Sequence, residues 1–143
     1  MTYRISWQKE DLWFEGMSPE GLKIMMDSSP EFGGKGRGPR PAELLLMALG
    51  GCTGMDVISI LKKKRAQVEG LEIEVRGERS TEHPKVFTKI ELVYVLSGKD
   101  LKQEDIERAV ELSMEKYCVV ANTLKKTCPL EYSWRILDTH AST

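Results

Sequence analysis

The chain has 143 residues, of which 41% are hydrophobic and 30% charged, with a formal net charge of −1. That length suits one domain, 1–143, able to bury roughly two-thirds of its unfolded surface. Acidic and basic residues are well mixed, which excludes the strong positive field of a nucleic-acid surface.

The first nine residues, M-T-Y-R-I-S-W-Q-K, lack the apolar run of a signal peptide. Three cysteines, Cys52, Cys118 and Cys128, are an odd number with no short spacing. They do not form a secreted disulfide framework, so the expectation is a cytoplasmic protein in which a thiol pair would be catalytic or redox-sensing.

The first third reads as β. Tyr3, Ile5 and Trp7 alternate with polar residues, Leu12-Trp13-Phe14 follows, and after the turn Ser18–Gly21 come Leu22, Ile24 and Met26. Three short antiparallel strands are expected. The next stretch, Ser28–Gly38, holds four glycines but lacks the spacing of a phosphate loop. It reads as a mobile connector or as a flap delivering Arg37 or Arg40 to a pocket.

Arg37 to Arg65 is the most apolar part of the chain. Pro41 suits a first helical turn. Leu44, Leu45, Met47, Ala48 and Leu49 make a helix apolar nearly all round, which implies burial. Gly50 and Gly51 leave two readings open. Either the helix breaks and restarts near Cys52, where the dipole favours a thiolate, or it runs on, with the glycines admitting a close neighbour and Cys52 inert. Glu43 is nine residues before Cys52. On one straight helix the two face opposite ways, about 13 Å apart along the axis, so a shared pocket needs the break or a second subunit. Glu43 otherwise reads as a carboxylate favoured by the helix dipole. Pro41–Leu61 approaches the length of a membrane span, but Pro41, Glu43, Gly50, Gly51 and Asp56 argue against a bilayer. The cluster Lys62–Arg65 reads as a complement to the helix C-terminus, with a nucleic-acid patch the alternative.

Leu71, Ile73 and Val75 alternate with charged residues, as a half-buried strand does, and Phe87–Leu96 is its hairpin partner. His83 in the connection and His140 in the tail stand apart from other ligand types, and no metal site or cofactor is expected. Ile106, Val110, Met114, Cys118, Ala121 and Leu124, spaced by three and four, predict one helix over roughly 102–126, with Cys118 facing the core. Cys128 reads as a loop thiol. Tyr132, Trp134 and Ile136 predict a last strand. The order β-β-β-α-β-β-α-β carries more apolar helix surface than one small sheet covers, which predicts a homodimer.

The segment P-R-P-A-E-L-L-L-M-A-L-G-G-C-T-G-M-D-V, with the later E-K-Y-C-V-V-A-N-T-L, resembles the OsmC/Ohr family, and within it the YhfA-type subgroup. The resemblance spans essentially the whole chain. It implies an α+β fold of antiparallel sheets wrapped around a central apolar helix, in an intertwined homodimer with sites at the interface. It implies a thiol-dependent peroxidase without cofactor. By the same resemblance Cys52 would attack a small, preferably organic, hydroperoxide, Cys118 would resolve the sulfenic acid as a disulfide, a dithiol reductant would restore both, and Glu43 would hold an arginine that stabilises the thiolate. The region matching the family's arginine reads Asp11-Leu12-Trp13-Phe14-Glu15-Gly16, with neither Arg nor Lys. Arg37 and Arg40 are the substitutes at hand. The alternative is a non-enzymatic dimer of the same fold that binds a small hydrophobic or thiol-reactive ligand.

Overall fold

In the structure, a computed structural model that describes residues 1–137, the chain divides into two units, Met1–Leu45 and the part from Leu46 onward. Strands β1 (Arg4–Trp7), β2 (Phe14–Met17) and β3 (Lys23–Met26) form an antiparallel sheet in the first unit. Leu12 and Trp13 belong to the turn before β2 rather than to the strand. The Gln8 amide donates to the Trp13 carbonyl at 2.8 Å, and Lys9 and Asp11 adopt left-handed backbone, which closes a tight connection there.

The glycine-rich loop is organised around Asp27. Its buried carboxylate accepts the backbone N–H groups of Ser28 (2.7 Å), Lys35 (3.3 Å) and Arg37 (3.1 Å). Burial works against the charged form, but these donors and the Arg37 guanidinium prevail and hold the carboxyl below its ordinary range. Gly34 and Gly38 lie so near backbone that a Cβ would sit 2.0 Å from the Ser28 carbonyl oxygen and 2.6 Å from that of Met25. At these positions glycine therefore serves close packing.

Helix α1 (Pro41–Lys63) is continuous through Gly50 and Gly51, so the break near Cys52 is not formed. Leu49, Thr53, Val57 and Leu61, four apart, make its buried stripe. A Cβ on Gly50 would come 3.2 Å from Val75 and one on Gly54 3.1 Å from Ile73. These glycines bring the helix close to a sheet. That closeness offsets their cost of about 1 kcal/mol each in a helix interior. The opposite side of α1 is uncovered in the single chain, Met47 being 54% and Met55 75% exposed. By length and hydropathy α1 could cross a membrane. Its buried stripe, though, is part of a protein core.

The sheet beneath comprises β4 (Gln67–Arg79), β5 (Phe87–Lys99) and β6 (Leu130–Leu137), in the order β4-β5-β6. β4 and β5 form the expected antiparallel hairpin. β5 and β6 are parallel, unlike the other pairings, because a helical crossover joins them. The central strand supplies Ile90, Leu92, Tyr94 and Leu96 to the core.

The crossover is not one helix. It comprises α2 (Gln103–Leu112), a π-helical turn Ser113–Tyr117 and α3 (Val119–Leu124), parted at Cys118. Ile106, Val110, Met114, Cys118 and Ala121 are buried and Leu124 packs partly buried against them, so the predicted stripe faces the core across the break. His140 lies outside the described residues.

Candidate functional site

Cys52 is half-buried in the middle of α1. A thiol at the start of a helix is found instead at Cys118, the N-cap of α3, whose Sγ accepts the Ala121 N–H at 3.3 Å. The Cys118 thiol is wholly buried, and Cys52 packs against the same core. Burial pushes it up from 9.0 to about 11; the Ala121 N–H opposes that rise and the neighbouring Cys52 adds to it. Cys52 and Cys118 thus belong to one core. Cys128, in the loop after α3, is also buried.

Glu43 is bound locally. Its Oε1 accepts from Arg40 Nε at 2.8 Å and from the Arg40 backbone N–H at 3.3 Å. The second contact is the reach-back of a residue three positions into a helix toward its N-cap. The side-chain bond to Arg40 is the largest influence holding the Glu43 carboxyl low. Glu43 therefore does hold an arginine. Arg37 is engaged elsewhere. It stacks over Trp13, 4.8 Å from the ring centroid, and pairs with Glu10 and Asp11 at 3.2 and 3.4 Å.

Four polar residues not picked out as a site adjoin the thiols. Thr53 Oγ1 lies 2.7 Å from the Tyr94 hydroxyl and 2.6 Å from Ser113 Oγ, and Ser113 Oγ donates to Asp56 Oδ2 at 2.9 Å. Thr53, Tyr94 and Ser113 are wholly buried. A hydroxyl has one proton to give. Ser113 gives its proton to Asp56, so Thr53 must donate to Ser113 and Tyr94 to Thr53. The chain of donors therefore runs one way, from Tyr94 to the carboxylate. Burial, opposed by the bond to Thr53 and assisted by the charge of Cys118, pushes the Tyr94 phenol up to about 12. The signal was present in the sequence as Thr53 and Asp56 in an apolar helix and Ser113 beside an apolar stripe. Among the described residues no cluster of three or more His, Cys, Asp or Glu could hold a metal ion.

Residues 34–133 match the sequence model of the family described as OsmC-like protein. Protein YhfA of Escherichia coli K12 is 42% identical over 138 residues, covering 96% of this chain and 98% of its own. A crystal structure of a hypothetical protein from Aquifex aeolicus VF5 superposes with a TM-score of 0.83 at 35% identity, covering 97% of each chain. An organic hydroperoxide resistance protein from Legionella pneumophila shares the fold, with a TM-score of 0.66 at 16% identity over 93% of this chain and 94% of its own. The family model over residues 34–133 and the 42% identity to YhfA establish that the chain belongs to the OsmC family.

Proposed function

We propose that the protein is a thiol-dependent peroxidase that reduces organic hydroperoxides and acts as a homodimer in a reducing cytoplasm. The observation that carries this reading is the neighbourhood of Cys52 and Cys118, which come from different elements and pack into one core. The name of the Legionella relative, a hydroperoxide resistance protein, is consistent with it.

Burial assigns the roles. Cys118 is held as the neutral thiol and sealed from solvent, which makes it a poor first nucleophile. Half-buried Cys52 is the thiol a peroxide can reach. Its thiolate attacks the O–O bond, the alcohol leaves, and a sulfenic acid remains. Cys118 then loses its proton and attacks that sulfur. Hydroxide leaves as water, and a disulfide forms. A dithiol reductant returns two electrons and two protons to restore the pair. The Ala121 N–H stabilises negative charge on Cys118 as the proton departs.

The Arg40–Glu43 pair supplies the cation that the early strands lack. The helix break that a shared pocket within one chain requires is not formed, so that task falls to a second copy. The uncovered α1 face with Met47 and Met55, and exposed Tyr117 and Val119 flanking Cys118, form the surface for that copy.

The test is consumption of cumene hydroperoxide with a dithiol reductant, by the wild type and by Cys52→Ser. The variant is expected to lose turnover altogether. Equal rates for the two proteins would reject the peroxidase and leave a dimer that binds a small hydrophobic ligand.

A further inference from the structure

We propose that Thr53, Ser113, Tyr94 and Asp56 are positioning residues that hold the Cys118 thiol against Cys52, so that a disulfide between them closes readily. The inference rests on the thiol-pair reading above and adds residues to it.

The argument starts from connectivity. Thr53 follows Cys52 in the chain, so whatever fixes Thr53 fixes the stretch of α1 that carries Cys52. Ser113 opens the π-helical turn, and its carbonyl accepts the Cys118 N–H at 2.7 Å. Whatever fixes Ser113 fixes the point from which Cys118 hangs. The 2.6 Å bond between Thr53 and Ser113 therefore ties the two cysteine-bearing segments directly. Asp56, one turn along α1 from Thr53, binds the same Ser113 hydroxyl. Tyr94 anchors the group to the central strand.

The local irregularity lies on this tie. A π-helical turn is rare, and it is found disproportionately beside functional sites. Here it ends at Cys118, which leaves helical geometry with ψ 107°. A regular helix through Ser113 and Cys118 would bond each N–H to the carbonyl four residues back. The bond from Cys118 to Ser113 spans five, and the hydroxyl of Ser113 is held in the polar group. An apolar core at these positions would cost less, since buried hydroxyls contribute only when every one is paired. The chain of donors ending on a carboxylate meets that requirement.

The experiment equilibrates the whole protein with buffers of reduced and oxidised glutathione. In the reaction Cys52–SH and Cys118–SH lose two hydrogens to form their disulfide, and one oxidised glutathione becomes two reduced ones. Thr53→Val keeps the shape and removes the hydroxyl. The equilibrium constant for closure is expected to fall about tenfold, which raises the potential by about 30 mV. Thr53→Ser is expected to restore the wild-type constant. Ser113→Ala is the second variant, should Thr53→Val fail to fold, and is expected to move the constant the same way. A purely structural role would lower melting temperature and leave the constant unchanged; a constant within about twofold of wild type in both variants overturns the inference while the thiol pair stands. A wild-type protein that forms no Cys52–Cys118 disulfide overturns both readings.

Discussion

The one-way chain of hydroxyls makes a rank-order prediction about stability. Tyr94→Phe removes its first donor. Thr53 keeps its own bond to Ser113, and no buried donor is stranded, so the loss is one hydrogen bond, about 1 kcal/mol. Thr53→Val removes the middle. The Tyr94 proton then has no acceptor in a wholly buried position, at about 1–3 kcal/mol, and the bond to Ser113 is lost as well, at about 1 kcal/mol more. The structure therefore predicts about 1 kcal/mol for Tyr94→Phe and about 3 kcal/mol for Thr53→Val. In a domain this size each kcal/mol lowers the melting temperature by roughly 3 °C. Urea unfolding of the reduced proteins, followed by circular dichroism, measures both. A Thr53→Val variant no less stable than Tyr94→Phe would refute the direction of the chain.

Cys118 and Tyr94 both have folded values raised above their ordinary ones, from 9.0 to about 11 and from 10.0 to about 12. The unfolded chain releases these protons first, so stability is full below about pH 9 and falls as pH rises toward 12; urea titrations should show a smaller alkaline loss in Cys118→Ala than in wild type. Glu43→Gln should change stability by less than about 0.5 kcal/mol, because its pair with Arg40 is exposed, while slowing peroxide consumption about tenfold or more. Equal turnover would remove Glu43 from the machinery. Gly51 has open space where a Cβ would sit and Gly54 has Ile73 at 3.1 Å. Gly54→Val should therefore cost about 1–3 kcal/mol by overpacking, measured by the same urea unfolding; a neutral result would contradict the close helix-to-sheet approach.

The strands were legible wherever one face is buried and the other wet. Leu71, Ile73 and Val75 against Glu72, Glu74 and Arg76 mark β4, and Tyr132, Trp134 and Ile136 mark β6. The side chains of a half-buried strand state its period directly. Gly50 and Gly51 were ambiguous because glycine serves both to end a helix and to admit a neighbour. Val75 and Ile73, far away in sequence, decide for the second. The break at Cys118 was hidden because Met114, Cys118 and Ala121 keep helical spacing across it. What parts the helix there is a backbone bond to Ser113, which leaves no mark on the apolar pattern. The place of Cys118 in the core is legible from the apolar stripe. The Thr53–Ser113 contact is not legible in the sequence, since residues 60 apart meet only through the fold.

The most direct test of the paired-thiol account takes fully reduced protein and adds one equivalent of cumene hydroperoxide. Free thiols are then counted, and the linked peptides identified by mass spectrometry. The account predicts that two of the three thiols disappear, that the intact mass falls by two hydrogens, and that Cys52 is joined to Cys118. Retention of all three thiols, or a disulfide that involves Cys128 instead, would contradict it.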